Sequence, residues 1–103
     1  MIERRSRERQ QLPHFLPGFI LDAKARTPLP SVLANVTGSG LGLVTDREIA
    51  KGTGLILVTL RAEIELEVIW CENESGHWRV GLTACDSSMN LEKHFSALWQ
   101  RCA

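Results

Sequence analysis

Tyrosine is absent from this 103-residue chain, and three Phe and three Trp are its only aromatics. Binding of single-stranded nucleic acid needs a positive groove with exposed rings. Here most of the rings fall at core-like positions and the net charge is zero, so nucleic acid is not an expected partner. No apolar run reaches the ~18 residues of a membrane helix. The charged N-terminal stretch lacks the apolar segment of a secretory signal. A cytoplasmic protein that makes no membrane contact is therefore expected. Cysteine is scarce as well. Cys71, Cys85 and Cys102 are odd in number and far apart, with no CxxC or Cys/His ligand spacing, which points to reduced thiols rather than a disulfide framework or a metal site. His14, His77 and His94 fall in unrelated regions, and no strand-to-helix nucleophile elbow is present. No catalytic residue and no cofactor is expected, and the chain does not read as an enzyme.

What is present fits one domain. A chain of this length buries roughly 60–68% of its unfolded surface and needs no staple. Residues 1–13 are polar, charged and rich in Gln and Arg, and read as a flexible basic arm. Phe19 to Ala23 is a plausible first strand, and the prolines at 28 and 30 make Lys24 to Pro30 a turn or an edge loop. Ser31 to Val36 and Leu41 to Val44 follow as strands, with a polar loop from Asp46 to Gly54 and an apolar run from Leu55 to Leu60. Ile64, Leu66, Val68 and Trp70 alternate with Glu63, Glu65 and Glu67, the mark of a half-buried antiparallel strand. A turn at Asn73 to Gly76 then pairs it with Trp78, Val80, Leu82 and Ala84 as a hairpin. The period changes at the end. Leu91, Phe95, Leu98, Trp99 and Cys102 share one face of a helix, with Ser87, Ser88 or Asn90 available as its cap. The fold expected is all-β, a small antiparallel split barrel of about six strands over 14–86, with the arm before it and a helix over 87–103.

Two segments carry chemistry. Arg4, Arg5, Arg7 and Arg9 crowd the first nine residues, and Arg5 and Arg9 stand at RxxxR spacing. Planar guanidinium groups fork onto phosphate and stack on purines. About thirty residues later comes Asn35-Val36-Thr37-Gly38-Ser39-Gly40. Asn35 offers an amide, Thr37 a hydroxyl, and Gly38 and Gly40 permit positive φ and close backbone approach. Such a turn is also what an ordinary hairpin needs. The run from Gly38 to Gly42 superficially resembles a phosphate loop, but no helix follows to use it.

With these residues in view, the chain resembles the PilZ domain, the bacterial receptor for cyclic di-GMP. That family pairs an N-terminal RxxxR with a [D/N]xSxxG motif. Arg5 and Arg9 match the first, and Asn35, Thr37 and Gly40 match the second with Thr in place of Ser. Gly40-Leu41-Gly42-Leu43, Val68-Ile69-Trp70 and Val80-Gly81-Leu82 are similar to the family's later pattern, so the likeness runs over nearly the whole chain. It implies that Arg5 and Arg9 grip phosphates and stack on guanine, while Asn35, Thr37 and Gly40 contact guanine from the barrel. Arg4 holds the place before RxxxR, which leans toward an intercalated pair of ligands. Trp70 is a candidate contact by this resemblance and a core residue by its alternation. A downstream protein is the implied partner. The competing reading is a PilZ-like interaction domain that binds no nucleotide.

Overall fold

The computed structural model describes residues 15–102. Seven strands form one antiparallel sheet: β1 (Gly18–Asp22), β2 (Pro28–Leu29), β3 (Ser31–Val36), β4 (Gly40–Thr45), β5 (Gly54–Thr59), β6 (Glu63–Glu74) and β7 (His77–Ala84), followed by one helix, α1 (Leu91–Cys102). Their hydrogen-bonded order is β2-β1-β5-β6-β7-β4-β3. The two ends of that order, β2 and β3, are separated in the chain by Pro30 alone, so the sheet has to curl until its edges nearly meet. The result is a half-barrel with a C-terminal helix, the all-β fold expected. Thr45, the one buried polar side chain among the described residues, ties the corner by donating from Oγ1 to the Pro30 carbonyl at 3.0 Å.

The strand count is seven rather than about six because the Lys24 to Pro30 segment contains a two-residue edge strand, where Pro28 needs no ladder donor. The turn before it is held by Asp22, whose carboxylate accepts from the amides of Lys24 and Ala25 at 2.9 and 2.8 Å. The predicted hairpin between β6 and β7 is present, but its strands run further than expected. Only Ser75 and Gly76 turn, with φ of 54° and 87°, the two-residue geometry whose twist matches the flanking strands.

Alternation puts Leu41 and Leu43 of β4, Leu55 and Leu57 of β5, Ile64, Leu66 and Val68 of β6, and Val80 and Leu82 of β7 on the inner face. Helix α1 adds Leu91, Phe95 and Trp99 to the same core. Asn90 is its cap, with Oδ1 accepting the Lys93 amide at 3.0 Å. The helix spans two landmarks. At its start, Leu91 donates its amide to the Gly38 carbonyl at 2.7 Å. Near its end, Trp99 Nε1 donates to the Phe15 carbonyl at 3.1 Å, and the Phe15 ring meets the indole edge-on at 6.2 Å. The helix therefore fixes both the β3–β4 turn and the point where the N-terminal segment enters the fold.

Candidate functional site

The motif turn is built by its own hydroxyl. Thr37 Oγ1 accepts the Gly40 amide at 3.1 Å, and the Thr37 amide donates to the Gly40 carbonyl at 2.9 Å. A serine hydroxyl at this position would close the turn in the same way. The remaining carbonyls are anchored from outside: Ser39 accepts from Ala84 N at 2.9 Å, and Gly38 accepts from the helix. The turn is thus fixed before any ligand arrives.

One sequence-level expectation about this turn is corrected. Among the described residues the only glycines with positive φ are Gly52 and Gly76, so neither Gly38 nor Gly40 uses that freedom. Gly40 is needed for closeness instead, because a Cβ there would lie 2.8 Å from the Leu82 carbonyl oxygen of β7. Gly38 would meet nothing within 4 Å.

Beside the turn, the outer face of the sheet is emptied. Asn35 pairs with Gly42, Gly42 with Gly81, and Gly81 with Trp70, so these four residues form one row across β3, β4, β7 and β6. A methyl group on Gly42 would overlap Asn35 Oδ1, and one on Gly81 would overlap the indole atoms Cε2 and Nε1 of Trp70. The amide and the indole therefore lean over the two glycines from either side. Trp70 reaches the outer face because a bulge intervenes between Val68 and Trp70 and shifts the phase of β6 by one residue. The core reading of Trp70 is corrected: it does not join Ile64, Leu66 and Val68 but stands 42% exposed on the other side. Covering a strand glycine with an aromatic ring also supports the sheet, so Trp70 has a structural role whatever else it contacts.

The shelf so formed is a depression of about 180 Å³ that includes Asn35, Thr37, Gly40, Ile69, Trp70 and the paired glycines in its walls. It brings together the four expected site residues that lie within the described part of the chain. Arg4, Arg5 and Arg9 lie outside the described residues. No lining residue is titratable. The flanking rows carry Glu67 opposite Thr83 on one side and Glu72 opposite Arg79 on the other. Arg79 is itself engaged, with its guanidinium 3.5 Å from the Glu74 carboxylate. A dianion on this shelf therefore needs cations from outside the sheet. Burial, reinforced by Glu65 and Glu67, pushes the Cys85 thiol up, and burial together with Arg61 lowers His94.

Sequence reasoning found Asn35, Thr37, Gly40 and Trp70 but missed the paired glycines that make the shelf and the Arg79 beside it. Gly81 inside an otherwise alternating strand was the available signal, since such a glycine marks close approach of another group. The bulge had none, because Val68-Ile69-Trp70 reads as uninterrupted strand.

Comparison with protein-family models, curated proteins and solved structures gave no match to this chain. The functional reading therefore rests on the motif residues and the shelf.

Proposed function

We propose that this domain is a cytoplasmic receptor for cyclic di-GMP that signals through a downstream protein and catalyses no reaction. In this reading a guanine sits on the shelf between the Asn35 amide and the Trp70 indole, beside the turn closed by Thr37 and Gly40. Arg5 and Arg9 close over it from the leader, with Arg4 favouring an intercalated pair of ligands. The observation that carries the proposal is the row Asn35–Gly42–Gly81–Trp70, where a planar hydrogen-bonding group and a planar ring flank a floor stripped of side chains.

The energetics require both parts. The depression is a seat for one ring and not for the whole ligand. Its uncharged lining has nothing to offset two phosphates. Each arginine adds about 1.5–3 kcal/mol through a charge-assisted bond and about 0.5–2 kcal/mol by stacking. Ordering five leader residues costs about 5–10 kcal/mol. A single arginine does not outweigh that cost; two or three acting with the shelf do. Binding then fixes the segment that carries Arg5 and Arg9 against the shelf, and this is the change a partner would sense.

Isothermal titration of the full chain with cyclic di-GMP tests this. We expect a dissociation constant of about 1 µM or lower. Arg5→Ala with Arg9→Ala should abolish measurable binding, and Asn35→Ala should weaken it by about tenfold, the effect of one lost hydrogen bond. Wild-type affinity in the double arginine variant would sink the assigned roles. The second reading, an interaction domain without a nucleotide, draws on the exposed apolar end of the molecule and would be preferred if titration of the wild-type chain gave no heat and no NMR shift at Asn35 to Gly40.

A further inference from the structure

Among the described residues the strands carry a single Lys or Arg, Arg79 on β7, whereas β6 beside it carries Glu63, Glu65, Glu67, Glu72 and Glu74. Alternation puts Arg79 on the outer face with Gly81, two residues further along the strand and about 7 Å away. An arginine side chain covers that distance. In the structure it leans the other way. Its guanidinium is 3.5 Å from the carboxylate of Glu74, which lies opposite His77 at the hairpin end, and Glu72 stands directly across from Arg79. The strand arginine is thus held at the margin of the shelf by a carboxylate, turned away from the floor made by Gly42 and Gly81.

We propose that Glu74 competes with the ligand of the shelf for Arg79: a phosphate arriving beside the Trp70 indole draws the guanidinium off Glu74 and over the glycine floor. This deepens the nucleotide reading of the shelf and rests on it. The magnitudes favour the exchange. Both partners of the pair are solvated, with side chains 39% and 60% exposed, and such an ion pair favours its closed form by about fivefold at most. A charge-assisted hydrogen bond to phosphate raises affinity by about ten- to a hundredfold. The path is open as well. Neither Gly42 nor Gly81 has a side chain to block it, and the indole leaning over Gly81 gives a guanidinium a ring to stack on. One sheet cation does not replace the leader arginines, because the ligand carries two charges. It adds a second side to the clamp, and it makes affinity depend on a carboxylate that never touches the ligand.

Isothermal titration of the full chain with cyclic di-GMP tests this in a double-mutant cycle. Arg79→Ala should weaken binding by about tenfold. Glu74→Gln keeps the size of the side chain but releases the guanidinium, and should tighten binding by about two- to fivefold. A merely structural Arg79 gives no such tightening. In the Arg79→Ala background the same Glu74→Gln change should have no effect. Tightening that persists there comes from one fewer negative charge near the shelf and overturns the proposal. Wild-type affinity in both single variants overturns it too, and leaves the receptor reading standing where Arg5→Ala with Arg9→Ala still abolishes binding. A wild-type chain that binds no cyclic di-GMP removes the receptor reading and this inference together.

Discussion

The two faces of β4 and β7 are built in opposite ways. On the inner face stand Leu41, Leu43, Val80 and Leu82, none more than 4% exposed. On the outer face, one residue along in each case, stand Gly40, Gly42, Gly81 and Thr83. The same two strands are filled on one side and stripped on the other. Strand geometry permits this because successive side chains point to opposite faces, so a large residue needed for the core places no constraint on its neighbour. The stripped face is also guarded: Asn35 and Trp70 lean over the glycines where larger residues would have covered the floor. Stability and access are thereby assigned to alternating residues of one hairpin neighbourhood.

The sharpest way to break the comparison is to damage the inner face alone. Leu43 is fully buried, and Leu43→Ala leaves a cavity in the centre of the sheet. A loss of about 2–5 kcal/mol is expected in urea unfolding, with the proposed affinity for cyclic di-GMP preserved at temperatures where the variant remains folded. A loss under ~1 kcal/mol would mean that the core does not depend on this face.

An intermediate effect is expected on the outer face. Gly81→Ala drives a methyl group into the Trp70 indole, and overpacking of this kind costs about 1–3 kcal/mol. If the collision with Trp70 is the cause, Trp70→Ala should relieve it. The double variant should then be more stable than the sum of the two single changes by about 0.5–3 kcal/mol, the usual coupling between touching residues. Additive effects would place the strain of Gly81→Ala elsewhere in β7 and remove the argument that the indole rests on this glycine.

Much of this arrangement was legible beforehand, and what was not has a physical cause. The period-two runs of β6 and β7 and the helical spacing of Leu91, Phe95, Leu98 and Trp99 are strong signals because one face of each element is buried, and burial imposes the period. β2 was only half visible, since two residues paired at an edge have no period to display. The clustering of Asn35, Thr37 and Gly40 was readable because the three motif positions fall within six residues. Trp70 was ambiguous for a definite reason: a bulge inverts every side chain beyond it, and the residues that form this one are as good strand formers as their neighbours. The pairing of Gly42 with Gly81 depends on the register between β4 and β7, strands separated by more than thirty residues, and no local pattern carries that information.

The smallest effect separates two glycines of one turn. Gly38 and Gly40 flank Ser39 in the same turn, and both looked suited to positive φ, yet neither adopts it. Their surroundings then decide. At Gly40 an added Cβ meets the Leu82 backbone oxygen at 2.8 Å, and a backbone atom within a paired strand has little room to retreat. Gly40→Ala should therefore cost about 1–3 kcal/mol. At Gly38 an added Cβ meets nothing, and its carbonyl bond to the Leu91 amide does not involve the side chain. Gly38→Ala restricts the unfolded chain without straining the folded one, so it should be neutral or stabilising by up to about 1 kcal/mol. Thermal unfolding of the two variants side by side tests this directly. If Gly38→Ala destabilises as much as Gly40→Ala, the turn depends on flexibility rather than closeness, and the picture of a turn fixed by its own packing fails with it.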